Sequence, residues 1–172
     1  MGLWDRLTGT RHPDPGAEPL SSPEVREALR SVGGADKPYV VRTARPAEKA
    51  DLVAEWRVLE PAWRDFFLPT RVQRTLKIRM RLVAEEHEVR ALDEQLEIEW
   101  VGDTPTLAVP ASTEFRRGQT RTVSKRWTVE RGPGGRPRLS PDRVFDTADL
   151  KDPLRKAVLG AGWTWRGVLF RL

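Results

Sequence analysis

The run Leu76-Lys77-Ile78-Arg79-Met80-Arg81-Leu82 alternates apolar and charged residues with period two. Leu96-Glu97-Ile98-Glu99-Trp100 repeats that pattern after a short turn. Successive side chains of a strand point to opposite faces, so each run puts one face in a core and the other in water. The two charged faces carry opposite signs, basic then acidic, which favours pairing the runs as neighbours and opposes slippage of register. The pattern predicts adjacent antiparallel strands over 75–83 and 88–100. Leu76, Ile78, Met80 and Leu82 are expected on the same core face as Leu96, Ile98 and Trp100, with Lys77, Arg79 and Arg81 in water beside Gln95, Glu97 and Glu99. Val89 and Ala91 have the other parity. That arrangement requires either a bulge between Ala91 and Leu96 or a cover over the second face.

The rest of the chain reads as short elements joined by turns. A helix begins with Ser22 as N-cap, Pro23 at the first position and Glu24 near the positive end of the dipole. Val25, Ala28, Leu29 and Val32 form its apolar stripe, and Gly33-Gly34 stops it. Tyr39 to Thr43 reads as a strand, followed by a turn at Arg45-Pro46-Ala47-Glu48. Residues 51–58 fit strand alternation, although Leu52, Trp56, Leu59, Trp63 and Phe66 also fit helical spacing. Pro61 argues against one continuous helix, so a strand followed by a short helix from Pro61 is expected. Residues 101–105 read as a turn, and Leu107 to Val109 as a short strand. Strands at Thr122–Glu130 and 138–145 flank the hairpin turn Gly132-Pro133-Gly134-Gly135, with Val123, Trp127 and Val129 sharing a face. A last helix is expected with Asp152 as cap, Pro153 first, and Leu154, Ala157, Val158 and Ala161 inward. Trp163 and Trp165 then share a strand face, and a bulge at Gly167 would bring Val168, Phe170 and Leu172 into line with them.

These elements sum to an α+β fold: a single strongly curved antiparallel sheet of about seven or eight strands with about three short helices. The domain is expected over 21–172. Residues 1–20 read as an amphipathic N-terminus followed by a flexible linker rich in proline and glycine.

Chemistry is sparse. The absence of cysteine excludes disulfides and thiolate sites. Phosphate-binding loops, dinucleotide fingerprints, Gly-x-Ser-x-Gly and His-Glu-x-x-His are all missing. Glu85-Glu86-His87-Glu88 offers metal-ligand types but reads as a solvated hairpin tip, and no metal or cofactor is expected. Glu55, Glu97 and Glu99 occupy water-facing strand positions, where no burial tunes a general acid or base. The reading therefore leans away from an enzyme.

Net charge is +5, split as +4 over 1–83, −7 over 84–103 and +8 over 104–172. Internal neutralisation across a sheet is the plainer account of that split. Arg116, Arg117, Arg121 and Arg126 make a polyanion, nucleic acid above all, the alternative partner. The seven tryptophans are Trp4, Trp56, Trp63, Trp100, Trp127, Trp163 and Trp165. They read first as core and second as the lining of a cup for a small apolar ligand. No apolar run approaches the roughly 18 residues of a membrane span, and residues 1–8 lack a signal-peptide pattern, so a cytoplasmic location is expected. Leu3, Trp4 and Leu7 fall on one side of a short turn, a candidate contact for a partner protein or, more weakly, for the inner membrane surface.

Three segments carry a resemblance: Asp51-Leu-Val-Ala-Glu-Trp-Arg, His87-Glu-Val-Arg-Ala-Leu-Asp and Ala161-Gly-Trp-Thr-Trp-Arg-Gly-Val. They resemble segments in a group of small bacterial proteins of high-GC genomes that has no established activity. The likeness spans residues 39–172 and implies a compact recurring domain without implying a reaction. The expectation is a cytosolic, non-enzymatic protein-interaction or scaffold domain.

Overall fold

The chain begins with α1 (Leu3–Thr8) and α2 (Ser22–Arg30), followed by β1 (Tyr39–Thr43) and β2 (Leu52–Trp56). Then come α3 (Arg64–Phe67), β3 (Arg74–Val83), β4 (Glu88–Val101) and β5 (Thr104–Leu107). It ends with β6 (Val123–Arg131), β7 (Pro137–Asp146), α4 (Ala148–Gly160) and β8 (Thr164–Val168). This computed structural model describes residues 2–108, 123–131, 133–135 and 137–172. The fold is α+β, with a strongly curled, largely antiparallel half-barrel of six strands and a separate two-stranded sheet. The main sheet runs β1-β2-β3-β4-β5, with β8 also on β4, and β6 pairs β7. The expected class holds, while its strands divide between two sheets and one pair, β4 with β8, is parallel.

The strand at 51–58 and the break at Pro61 stand as expected, as β2 and a 3-10 turn leading into α3. α2 is capped one residue earlier than read: the Ser21 N–H and Oγ both donate to Glu24 Oε2, at 2.8 and 2.6 Å. That reciprocal cap fixes the helix start, and Val25 and Leu29 are fully buried against the sheet. Beyond α2, Gly33 lies so close to the outer edge of β1 that a Cβ there would sit 2.8 Å from the Val41 nitrogen. Only glycine lets the chain cover a sheet edge so closely.

β3 and β4 pair without a bulge from Arg74↔Glu97 to Val83↔Glu88. Leu76, Ile78 and Met80 face the core as expected. Their partners across the pair are Gln95, Asp93 and Ala91, so the expected facing of Leu96 is overturned; it lies opposite Thr75. Of the two alternatives, the cover over the second face is the one present. Val53 and Leu92, on the face of Arg79, are as buried as the core itself. At the far end of β4, Ile98 still joins the core and Trp100 packs against it, its Nε1 donating to the Val72 carbonyl at 2.9 Å.

Two expectations near the C-terminus are also corrected. α4 starts at Ala148 rather than after Asp152, with Ala148 N–H donating to Asp146 Oδ1 and Pro153 inside the helix. The burial of Leu150 in the added turn offsets the N–H that proline lacks. β8 needs no bulge at Gly167: its register with β4 is straight from Glu88↔Thr164 to Leu92↔Val168. The strand ends at Val168, so Phe170 is left exposed rather than brought inward.

The segment expected to be a flexible linker is tied along the domain. Arg11 and Trp165 exchange backbone hydrogen bonds at 2.8 and 2.9 Å, and Thr10 is buried. Further on, the Leu20 N–H donates to the Ala161 carbonyl and Trp163 Nε1 to the Leu20 carbonyl. The core itself is aromatic. Trp163 and Trp165 are buried in it, and Trp56 meets Tyr39, Phe67 and Phe145 edge-on at centroid distances of 5.2, 6.3 and 4.7 Å. Phe145 is how the β6–β7 hairpin reaches the main core. The facing expected of Trp127 and Val129, and the strand end at Val109, lie outside the described residues.

Candidate functional site

Three polar clusters and one apolar turn compete for the role of a site. The first cluster lies on the second face of the main sheet. Glu48 ends the 3-10 turn Pro46–Glu48, and its Oε1 lies 2.7 Å from Arg42 Nη2 and 2.8 Å from Lys77 Nζ. Arg42 also reaches Glu55 at 2.9 Å, and Arg79 reaches Glu94 at 2.6 Å. Arg79 donates to the Glu48 carbonyl and Arg81 to the Lys49 carbonyl, at 2.7 and 2.8 Å. Lys77 and Arg79 of β3 are thus paired with Glu48 and Glu94, not with the expected Glu97 and Glu99, while Arg81 bonds to carbonyls. The Arg42 hydrogen bonds, aided by Lys77 and opposed by burial, hold the Glu48 carboxyl well below the usual carboxylate range. Each of these side chains bonds to another member of the lattice or to a neighbouring carbonyl, which is the arrangement of a covered face rather than of an open site.

The second cluster is the buried pair Asp93–Lys151, with Nζ 2.5 Å from Oδ2. Asp93 occupies a core position of β4 opposite Ile78, and Lys151 sits in the first half of α4. Burial pushes the Lys151 ammonium below its usual range, and Asp93 opposes that shift. The pair pins α4 over the sheet. In the third cluster, Glu88 is enclosed between Arg166 Nε at 2.6 Å and Arg90 Nε at 2.7 Å, joining β4 to β8. Burial raises its carboxyl, but the hydrogen bonds from Arg166 and Arg90 outweigh that and leave it below the ordinary value. His87, beside it, packs its ring edge-on at 5.7 Å from Trp163. Among the described residues no three His, Asp or Glu side chains converge as a metal site.

The apolar turn is α1. Its polar residues hold it to the body. Asp5 Oδ2 accepts from Gly2 N–H at 3.3 Å and lies 3.2 Å from His12 Nε2, and the Asp5 carbonyl accepts from Thr10 N–H at 2.8 Å. Thr8 Oγ1 lies 2.7 Å from Thr10 Oγ1, which in turn accepts from Gly167 N–H in β8. The hydrogen bond with His12, then that from Gly2, lowers the Asp5 carboxyl below its ordinary value. Leu3, Trp4 and Leu7 point away from the body, 74%, 73% and 57% exposed, and α1 buries no residue at all. An amphipathic turn folded for its own domain would show the reverse orientation.

Two open clefts lie elsewhere. One of about 590 Å³ lies between Arg71, Arg74, Glu97, Glu99 and Trp100. Another of about 390 Å³ lies between His12, Asp14 and the α4 residues Asp152, Arg155 and Lys156. Neither is lined by Trp56, Trp163 or Trp165, which pack into the core. Of the residues singled out for a polyanion, Arg116, Arg117 and Arg121 lie outside the described residues, as does the side chain of Arg126 in β6. The pattern reading passed over Glu48, Asp93 and Lys151, and it placed Glu88 at a solvated hairpin tip, whereas Glu88 is buried. A signal for two of them was present: Lys151, Leu154 and Val158 share helical spacing, and Asp93 shares parity with Val89 and Ala91.

Among the described residues no helix is long and apolar enough to cross a membrane. No family model, no curated protein and no solved structure matches the chain.

Proposed function

We propose that this chain is a non-enzymatic docking domain: a rigid α+β platform that holds an apolar N-terminal turn out to a macromolecular surface. The observation that supports the reading is the inverted orientation of α1, whose Asp5 and Thr8 bond to His12 and Thr10 in the segment tied to β8, while Leu3, Trp4 and Leu7 face outward. A contact that is already folded and clamped loses little further entropy on binding, so a small apolar patch contributes more than it would on a free peptide. The charged clusters fit the same reading, since each cross-links strands or fixes α4 and so stiffens the platform. The three segments of the resemblance fall on β2, the first half of β4 and β8, all strands of the main sheet. On this reading the likeness tracks the platform, and the docking turn lies outside it.

The experiment is site-directed photo-crosslinking in cells. A photoreactive side chain at position 4 should give adducts that disappear when Leu3 and Leu7 are changed to Ser. The same group at the exposed Thr106 of β5 should give none of those adducts. Absence of adducts at position 4, or their persistence in the Ser variants, contradicts the proposal.

A further inference from the structure

Two arginines flank the apolar face of α1. Arg6 is exposed on the same turn as the three apolar residues. Arg166, on the neighbouring strand β8, keeps 43% of its side chain exposed and lies near enough to favour the ionised form of Asp5. The acids nearest α1 are engaged, while Asp14 and Glu85 are exposed. Glu88 keeps only 3% of its side chain exposed between Arg90 and Arg166, and Asp5 is held by His12 and Gly2. Glu86, the exposed acid beside this cluster, is bound by Arg90 at 3.2 Å. Two leucines and an indole therefore project beside the exposed Arg6 and the partly exposed Arg166, which is itself paired with Glu88.

Resting on the docking reading, we infer that the surface α1 meets is an anionic lipid leaflet. Trp4, Leu3 and Leu7 enter the boundary between headgroups and acyl chains while Arg6 and Arg166 meet lipid phosphates. Tryptophan suits that boundary because its ring is apolar and its N–H can stay hydrated. Phosphates beside the turn match the exposed guanidinium of Arg6, whereas an ordinary apolar protein groove leaves that charge with nothing to meet. One turn buries little apolar area, so attachment is reversible and depends on the charge contribution.

The test is flotation of the full chain with vesicles of pure phosphatidylglycerol or pure phosphatidylcholine at low salt. The wild-type chain should float with phosphatidylglycerol and not with phosphatidylcholine. Trp4→Ala should lower the bound fraction at least tenfold, and Arg6→Ala should lower it by about fivefold, the effect of one basic residue near an anionic surface. Both positions are exposed, so unchanged thermal unfolding of these variants verifies that the platform is intact. Flotation of wild type and Trp4→Ala alike overturns the inference, because binding would then come from basic residues elsewhere. No flotation at all also overturns it. In that event position-4 crosslinks to protein would keep the docking reading and assign the turn to a protein groove, and their absence would remove both.

Discussion

α1 and α2 are built from the same local rules and end in opposite positions. Each starts with an acid three residues beyond its cap, Asp5 after Gly2 and Glu24 after Ser21, and each carries an apolar stripe. α2 turns Val25 and Leu29 fully inward, whereas α1 buries nothing and turns Leu3, Trp4 and Leu7 outward. Amphipathic spacing states that a helix has an apolar face; it does not state what that face meets. The segment C-terminal to each helix sets the difference. α2 runs through Gly33 directly against the edge of β1, while α1 is clamped by Thr10 and Arg11 to β8 through its polar side.

α4 is the inward extreme of this contrast, since it buries a cation as well as leucines. Asp93→Ala removes the buried acid paired with the Lys151 ammonium and should destabilise by about 3–5 kcal/mol, measured by denaturant unfolding. A loss under about 1 kcal/mol, the scale of an exposed pair, would mean that water reaches Lys151 and that α4 is not enclosed. Leu29→Ala in α2 should cost about 2–5 kcal/mol, the usual range for a fully buried leucine with a residual cavity. Should Leu29→Ala instead behave like a surface change, the two helices would not differ in the way claimed.

A smaller effect probes the charged lattice on the covered second face of the sheet. The Glu48 carboxyl is depressed in the folded state from a reference value of 4.5. Its contribution is therefore complete above pH 4.5 and is lost as the pH falls through the lower folded-state value. The difference in unfolding free energy between wild type and Glu48→Gln should shrink steadily as the pH is lowered below 4.5. A difference that stays constant with pH would show that Glu48 acts by shape and not by charge.

Much of the platform was legible in the sequence because period-two alternation reports directly on a half-buried strand. β1, β2, the β3–β4 pair and the β6–β7 hairpin stand close to where the pattern puts them. The facing of Leu96 failed because parity was counted from the apolar run at the C-terminal end of β4. The structure covers both faces of that strand and takes the core parity from Val89, Ala91 and Asp93. Those residues include a carboxylate whose partner, Lys151, lies 58 positions away in α4, a distance no local pattern spans. The same limit explains the linker. Proline and glycine content argues for a mobile segment, but the backbone bonds of Arg11 and Leu20 go to residues near the C-terminus. Leu3, Trp4 and Leu7 were visible as a stripe; their outward orientation depends on Thr10 meeting Gly167, which only the folded chain brings together.

The central claim is that the apolar face of α1 serves contact and not the fold, and unfolding of the triple variant Leu3→Ala, Trp4→Ala, Leu7→Ala measures it most directly. Exposed positions without structural partners change stability by only about 0.5 kcal/mol or less each. The account predicts an unfolding free energy within about 1.5 kcal/mol of wild type for the three changes together, set beside the larger loss expected for Leu29→Ala alone. A loss by the triple variant approaching that of Leu29→Ala would contradict it, because the turn would then be packed into the domain and not presented from it.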